Sequence, residues 1–156
     1  PFVDEQRDMQ YTNETAERVV ESYLADNVLM TTNVVARAIF NLLRQANPAA
    51  DFFRLLHTGG KAASFTMAEV HNETERLLKT LASLPRPPRL SAMLQGGDIQ
   101  TIVSDALTHF QIYHTHSAAI RRGDRVFHQD RNLLLFYSNR LEGYGLPAVQ
   151  RRQQAA

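Results

Sequence analysis

The densest apolar stretch of the chain is Asn132-Leu-Leu-Leu-Phe-Tyr-Ser-Asn-Arg-Leu-Glu-Gly-Tyr-Gly-Leu146, and it sets the terms for everything before it. Leu134, Tyr137, Leu141 and Tyr144 recur at three- and four-residue steps, which on a helix makes them one buried stripe. Gly143 and Gly145 supply the positive φ that a helix C-terminus favours, and Pro147 forbids continuation. Ser138, Asn139 and Arg140 break the apolar run at mid-helix, where small polar residues form helix poorly and need a partner or a role.

Upstream, the punctuation predicts more helices. Residues 1–11 are polar with few apolar anchors and read as a flexible lead-in. Thr12 or Asn13 caps a helix with Glu14 and Glu17 in its first turn and Val19, Val20, Tyr23 and Leu24 on its apolar face. Thr31-Thr32-Asn33 starts a core helix through Val34, Val35, Ala38, Ile39, Leu42 and Leu43, which stops near Asn47-Pro48. A short helix over 49–56 is expected to bury Phe52, Phe53, Leu55 and Leu56 before Gly59-Gly60 ends it. Residues 61–65 are a connector with room for one short strand. Thr66-Met-Ala-Glu69 has the form of a capping box, and Val70, Leu77, Leu78, Leu81 and Leu84 follow as far as the stiff Pro85-Arg-Pro-Pro88-Arg linker.

Leu90 to Leu94 reads as a single turn. Asp98 then caps a helix whose inner face holds Ile99, Ile102, Val103, Ala106, Leu107 and Phe110. Residues 114–120 read as a strand, Arg121-Arg-Gly123-Asp124 as a turn, and 125–128 as the return strand. The expected fold is therefore mainly α: one helical domain over 12–146, of about five or six helices with one small β-hairpin near the C-terminus, and a disordered tail at 147–156.

Composition narrows the function. At 156 residues the chain is long enough for one domain with a core of its own. It has no cysteine, which excludes disulfides and thiol chemistry. Residues 1–85 hold 8 Lys/Arg against 11 Asp/Glu and residues 86–156 hold 9 against 5, an asymmetry too mild to imply nucleic acid. No apolar run approaches the roughly 18 residues of a membrane span, and no signal peptide is evident. A chain that begins Pro1-Phe-Val reads as a piece of something longer.

Two stretches carry a resemblance. Leu134-Leu-Phe-Tyr-Ser-Asn139 resembles the C-terminal signature of the glycerol-3-phosphate/dihydroxyacetone-phosphate acyltransferase family, and Val28-Leu-Met-Thr-Thr-Asn-Val-Val-Ala36 resembles that family's apolar stretch before a leucine-rich helix. Phe65 to Val70 and Asp98 to Leu107 are similar to the helix starts that lie between, and the order agrees over residues 15–146. Leu141-Glu-Gly-Tyr144 departs from the Leu-His-x-Phe of many members. The resemblance implies the C-terminal domain of an enzyme that acylates the sn-1 hydroxyl of glycerol-3-phosphate for phospholipid synthesis. It implies an upstream catalytic domain as partner, acyl-CoA or acyl carrier protein as donor, and a peripheral place on the cytoplasmic side of the membrane. The 15 Arg to 2 Lys suggest a GC-rich bacterial source.

The family's His-x4-Asp catalytic pair is absent after every histidine: His57, His71, His109, His114, His116 and His128. The segment is expected to be non-catalytic, with no cofactor and no metal. Tyr137, Asn139 and Arg140 are the candidates to face the partner or substrate. Arg121, Arg122 and Arg125 around the turn are candidates for an anion or lipid head group, set against a solvated hairpin edged by charge. His109, His114 and His116 lack an acidic neighbour and read as exposed or capping residues rather than metal ligands. Two other readings stand beside this one. The layout of helices and arginine-bearing hairpin resembles a winged helix-turn-helix DNA binder, but the helix after Asp98 exposes Gln100, Ser104, Asp105, Thr108 and Gln111 without a cation. A helical scaffold that only binds a partner is the third.

Overall fold

The computed structural model describes residues 5–58 and 62–146. In chain order the elements are α1 (Glu5–Asp26), β1 (Val28–Leu29), α2 (Thr31–Ala46), α3 (Phe52–Thr58), β2 (Ser64–Thr66), α4 (Met67–Ala82), β3 (Arg89–Leu90), α5 (Ala92–Gly96), α6 (Ile99–Ile112), β4 (Ala119–Arg122), β5 (Arg125–His128) and α7 (Arg131–Ser138), followed by a 3-10 turn at Asn139–Leu141. The chain is mainly α, with a small antiparallel sheet toward its C-terminal end.

The centre of the fold is α2. Eleven of its sixteen residues are buried, so it is apolar nearly all round, as a helix must be when neighbours cover most of its sides. Those neighbours are α4, α6 and α7. Val34, Val35, Ile39 and Leu43 of α2 join Val70, Leu77 and Leu81 of α4, Ile102, Val103 and Phe110 of α6, and Leu134 of α7 in one continuous core. The helix starts follow cap chemistry. Thr66 Oγ1 accepts from the Glu69 N–H at 3.2 Å while Glu69 Oε2 accepts from the Thr66 N–H at 2.9 Å, the reciprocal pair expected from the sequence. Asp98 Oδ1 accepts from the Thr101 N–H at 2.8 Å and opens α6.

The sheet has three strands in the order β2-β5-β4. The expected hairpin is present as β4 and β5, but β4 begins at Ala119, not at 114, and Arg121 and Arg122 belong to the strand. Only Gly123-Asp124 forms the loop, with Gly123 at φ +60° in the first position of a two-residue hairpin turn. The connector strand β2 pairs with β5, Phe65 opposite Val126, which closes the sheet over the core. A short parallel pair, β1 with β3, fastens the segment after the proline linker to the segment before α2.

Four expectations need correction. Residues 5–11 are helical, because α1 starts at Glu5, and its side chains from Gln6 to Tyr23 are all exposed, Val19, Val20 and Tyr23 included. In α3 only Leu55 is fully buried; Phe52 and Phe53 face outward at 50% and 71% exposure. Seven residues carry too few contacts to bury two adjacent side chains that point about 100° apart. The last helix is capped by Asp130, which accepts from the N–H groups of Asn132 and Leu133, and it gives way to the 3-10 turn after Ser138. Tyr144 therefore lies beyond the helix, although Leu141 is buried and Gly143 and Gly145 do adopt positive φ. The tail expected at 147–156 lies outside the described residues.

Candidate functional site

The two stretches that carry the resemblance pack against each other. Asn33, in the first turn of α2, uses both ends of its carboxamide. Its Oδ1 accepts from the Met30 N–H at 2.9 Å, and its Nδ2 donates to the Tyr137 carbonyl at 3.1 Å. Arg140 Nη1 donates to Asn27 Oδ1 at 3.1 Å, and the Tyr144 hydroxyl bonds to the same Asn27. Arg37 of α2 pairs with Glu142 at 2.5 Å. Residues 137–144 are thus clamped onto residues 27–37, just past the end of α1.

Of the sequence candidates, Tyr137 and Arg140 sit in this junction. Tyr137 is half-buried, its ring 5.2 Å from that of Phe110 and its hydroxyl hydrogen-bonded to His114 Nε2 at 2.9 Å. Burial, with a smaller push from Tyr113, raises its pKa above the ordinary value, so it stays a neutral phenol. Asn139 is exposed at the start of the 3-10 turn, where its backbone carbonyl accepts from the Glu142 N–H.

Beside the junction, among the described residues, lies an exposed rim. Met30, Tyr113 and Phe136 are 51%, 69% and 65% exposed. Tyr113 stacks on the part-exposed His109, and Phe136 meets the half-buried Tyr137 edge-on. Large apolar side chains at this exposure are the ones a contact surface would use.

The structure brings two of the three hairpin arginines to one face. Arg122 and Arg125 oppose each other across the strands, whereas Arg121, opposite Val126, points to the other side. Each is also engaged. Arg121 Nε donates to the Gly123 carbonyl at 2.9 Å, Arg122 lies over the Phe127 ring at 5.6 Å, and Arg125 donates to both the hydroxyl and the carbonyl of Ser64. Held this way they edge the hairpin with charge.

Nor do the polar groups compose a catalytic set. The Thr31 hydroxyl donates to Asp105 Oδ2 at 2.5 Å, and His109 Nδ1 donates to the Asp105 carbonyl at 2.8 Å. The carboxylate lies between hydroxyl and imidazole, the reverse of the order that would let a histidine take the hydroxyl proton. Among the described residues no group of three His, Asp or Glu side chains is placed to hold a metal, and His109 and His114 are used as a helix-terminal donor and a tyrosine partner. No helix among them is long and apolar enough to cross a membrane.

Sequence reasoning missed Asn27, Asn33 and Arg37. Asn33 was legible only as part of a helix start; that its free amide would reach a carbonyl 104 residues away leaves no local trace. Arg37 carried a faint signal, a cation in the middle of the apolar run Val34–Ile39. Searches of known families, curated proteins and solved structures find no match to the chain.

Proposed function

We propose that this chain is the C-terminal, non-catalytic domain of a glycerol-3-phosphate O-acyltransferase. In this reading an upstream domain holds the acyl-CoA or acyl carrier protein and carries out transfer to the sn-1 hydroxyl, on the cytoplasmic side of the membrane. The present domain packs on that catalytic domain through the junction of α2 and α7. The observation that supports this is the clamp itself. The two stretches that resemble the family meet through Asn33–Tyr137, Asn27–Arg140 joins the residues just outside them, and the exposed Met30, Tyr113 and Phe136 are left for a partner to cover.

The DNA reading loses ground. A helix-turn-helix joins its helices by a turn of about 3–4 residues, whereas α4 ends at Ala82 and α6 begins at Ile99, with β3 and α5 between them. The outward face of α6, with Gln100, Thr101, Ser104 and Thr108, offers phosphates no cation. The scaffold reading shares the partner surface and differs only in what the partner does.

The test is the complete reading frame of the source gene, assayed for CoA release from acyl-CoA that depends on glycerol-3-phosphate. Asn139→Leu, at an exposed position, is expected to lower that activity while the circular dichroism of the domain stays unchanged. A frame without a His-x4-Asp pair and without acylation sinks the proposal, and unchanged activity in Asn139→Leu removes Asn139 from the interface.

A further inference from the structure

The proline linker after α4 forms one wall of a cavity that neither the junction nor the hairpin uses. Pro85, Pro87 and Pro88 stiffen the linker, and both of its ends are tied down. At one end the Ser83 N–H closes α4 by donating to the Lys79 carbonyl at 3.1 Å. At the other, Arg89 and Leu90 pair with Val28 and Leu29, and the Ser91 N–H donates to the Leu29 carbonyl at 2.9 Å. Between this linker, Gly143-Tyr144 and Glu21 of α1 lies a space of about 600 Å³, the size of a small-molecule site. Leu84 and Tyr144, half-buried against the core, give it an apolar floor beside the three proline rings. The Tyr144 hydroxyl is bonded to Asn27 and Gly143 turns the chain at φ +88°, so the floor is set by the same contacts that close the junction.

The charges at this cavity do not balance. Arg86 faces Glu21 at 3.9 Å, a long pair between side chains that are 90% and 69% exposed. Arg89 lines the same space, and among the described residues it has no hydrogen bond, ion pair or ring contact. Glu142, the acid next to Gly143 in the chain, is paired with Arg37 instead. One guanidinium is thus left unmatched beside an apolar, ring-lined space.

We propose that this cavity binds an aromatic carboxylate, its ring against the prolines and Tyr144 and its carboxylate on Arg89. Proline rings pack well on aromatic faces, and a rigid ring loses little freedom when it is enclosed. The guanidinium fork matches the two oxygens of a carboxylate, and a single spare positive charge balances a monoanion rather than a phosphate dianion. The proposal goes beyond the acyltransferase reading and does not depend on it.

The experiment is an amide NMR titration of the chain with three probes: naphthoate, its neutral isostere naphthalenemethanol, and cyclohexanecarboxylate, which keeps the charge without the aromatic face. Naphthoate is expected to shift the amides of Leu84, Arg89, Gly143 and Tyr144, and each of the other two probes to bind about tenfold more weakly. Arg89→Gln alters an exposed side chain and leaves the backbone pairing with Val28 in place. It is expected to bring naphthoate down to the affinity of naphthalenemethanol. Naphthoate shifts confined to the rim at Tyr113 and Phe136, or none at all, overturn the proposal. So does equal binding of the three probes by the parent chain, or a preference for naphthoate over naphthalenemethanol that survives in Arg89→Gln.

Discussion

Asn33→Ala tests the junction most directly, because one small side chain there serves two helix ends at once. The Met30 N–H is one of the donors that the start of α2 leaves without an intrahelical partner. The Tyr137 carbonyl is one of the acceptors that the end of α7 leaves open. Asn33, 8% exposed, satisfies both, at 2.9 and 3.1 Å. Alanine abandons both groups at a partly buried place, at a cost of about 1 kcal/mol each, or roughly 2 kcal/mol together. For a chain of this length that corresponds to a fall in Tm of about 4–8 °C. Urea unfolding followed by far-UV circular dichroism reads the loss, and amide exchange shows where it falls, in the last turn of α7 and the first turn of α2. Asn33→Asp separates the two roles: it keeps the acceptor for Met30 and loses the donor to Tyr137, so about half the loss is expected. If Asn33→Ala lies within about 0.5 kcal/mol of the parent, water replaces both bonds and the clamp holds nothing.

Three further outcomes follow from the same contacts. Leu134 has no exposed surface and lies in the core against α2, so Leu134→Ala should cost about 2–5 kcal/mol in the same titration; a loss below about 1 kcal/mol would mean that the site collapses around the gap. His128 is buried with Nε2 at 2.6 Å from the Ala62 carbonyl and Nδ1 without a partner, and burial, reinforced by Arg131 and opposed by that carbonyl, lowers its pKa below the ordinary 6.5. The unfolded chain then binds more protons, so stability is full above about pH 6.5 and falls with acidification, by at most about 1.4 kcal/mol per pH unit, until the lower folded value is passed. His128→Gln should flatten that slope, and a parent curve already level between about pH 7 and 5 would contradict the assignment. Glu142→Gln breaks the pair with Arg37, but Glu142 is 64% exposed, so the cost should stay below about 1 kcal/mol and shrink in salt; a larger, salt-independent loss would show the pair to be shielded from water.

What could be read in the sequence was what short stretches decide. The Thr66–Glu69 box and the Asp98 cap need three or four consecutive residues, and both appear as expected. The core positions of α2 and α6 follow from spacing alone, because a helix that loses its apolar face to solvent has no other way to gain stability. Phe52 and Phe53 are hydrophobic yet exposed, because only one side of a seven-residue helix finds a neighbour, and hydrophobicity alone does not say which side. The arginine cluster looked like a site because Arg121, Arg122 and Arg125 are close in sequence; strand alternation turns Arg121 away from the face that Arg122 and Arg125 share. The connector reads as room for one short strand, but its pairing with β5 does not, since that joins Phe65 to Val126 across most of the domain. Contacts that close over such distances are chosen by the whole fold, and no local pattern encodes them.

The exposure of α1 ties these threads to a partner. Its 22 residues include Val, Thr, Tyr and Asn, all weak helix formers, and its six acids outnumber its two arginines. A helix of that composition, exposed from Gln6 to Tyr23, is marginal in water, since most helical stability comes from tertiary burial. In the proposed complex, Val19, Val20 and Tyr23 are the apolar side chains that a second surface would cover. Asn27, one residue past the end of α1, is held by Arg140 and Tyr144, so the direction in which α1 leaves is set by the same residues that close the α2–α7 junction. The rim of Met30, Tyr113 and Phe136 begins three residues further on, at Met30. One partner seated at the junction can thus reach both the rim and the apolar side of α1. In the proposed complex, loss of the partner should unwind α1 before it loosens the core, because no described side chain of α1 belongs to the buried cluster around α2.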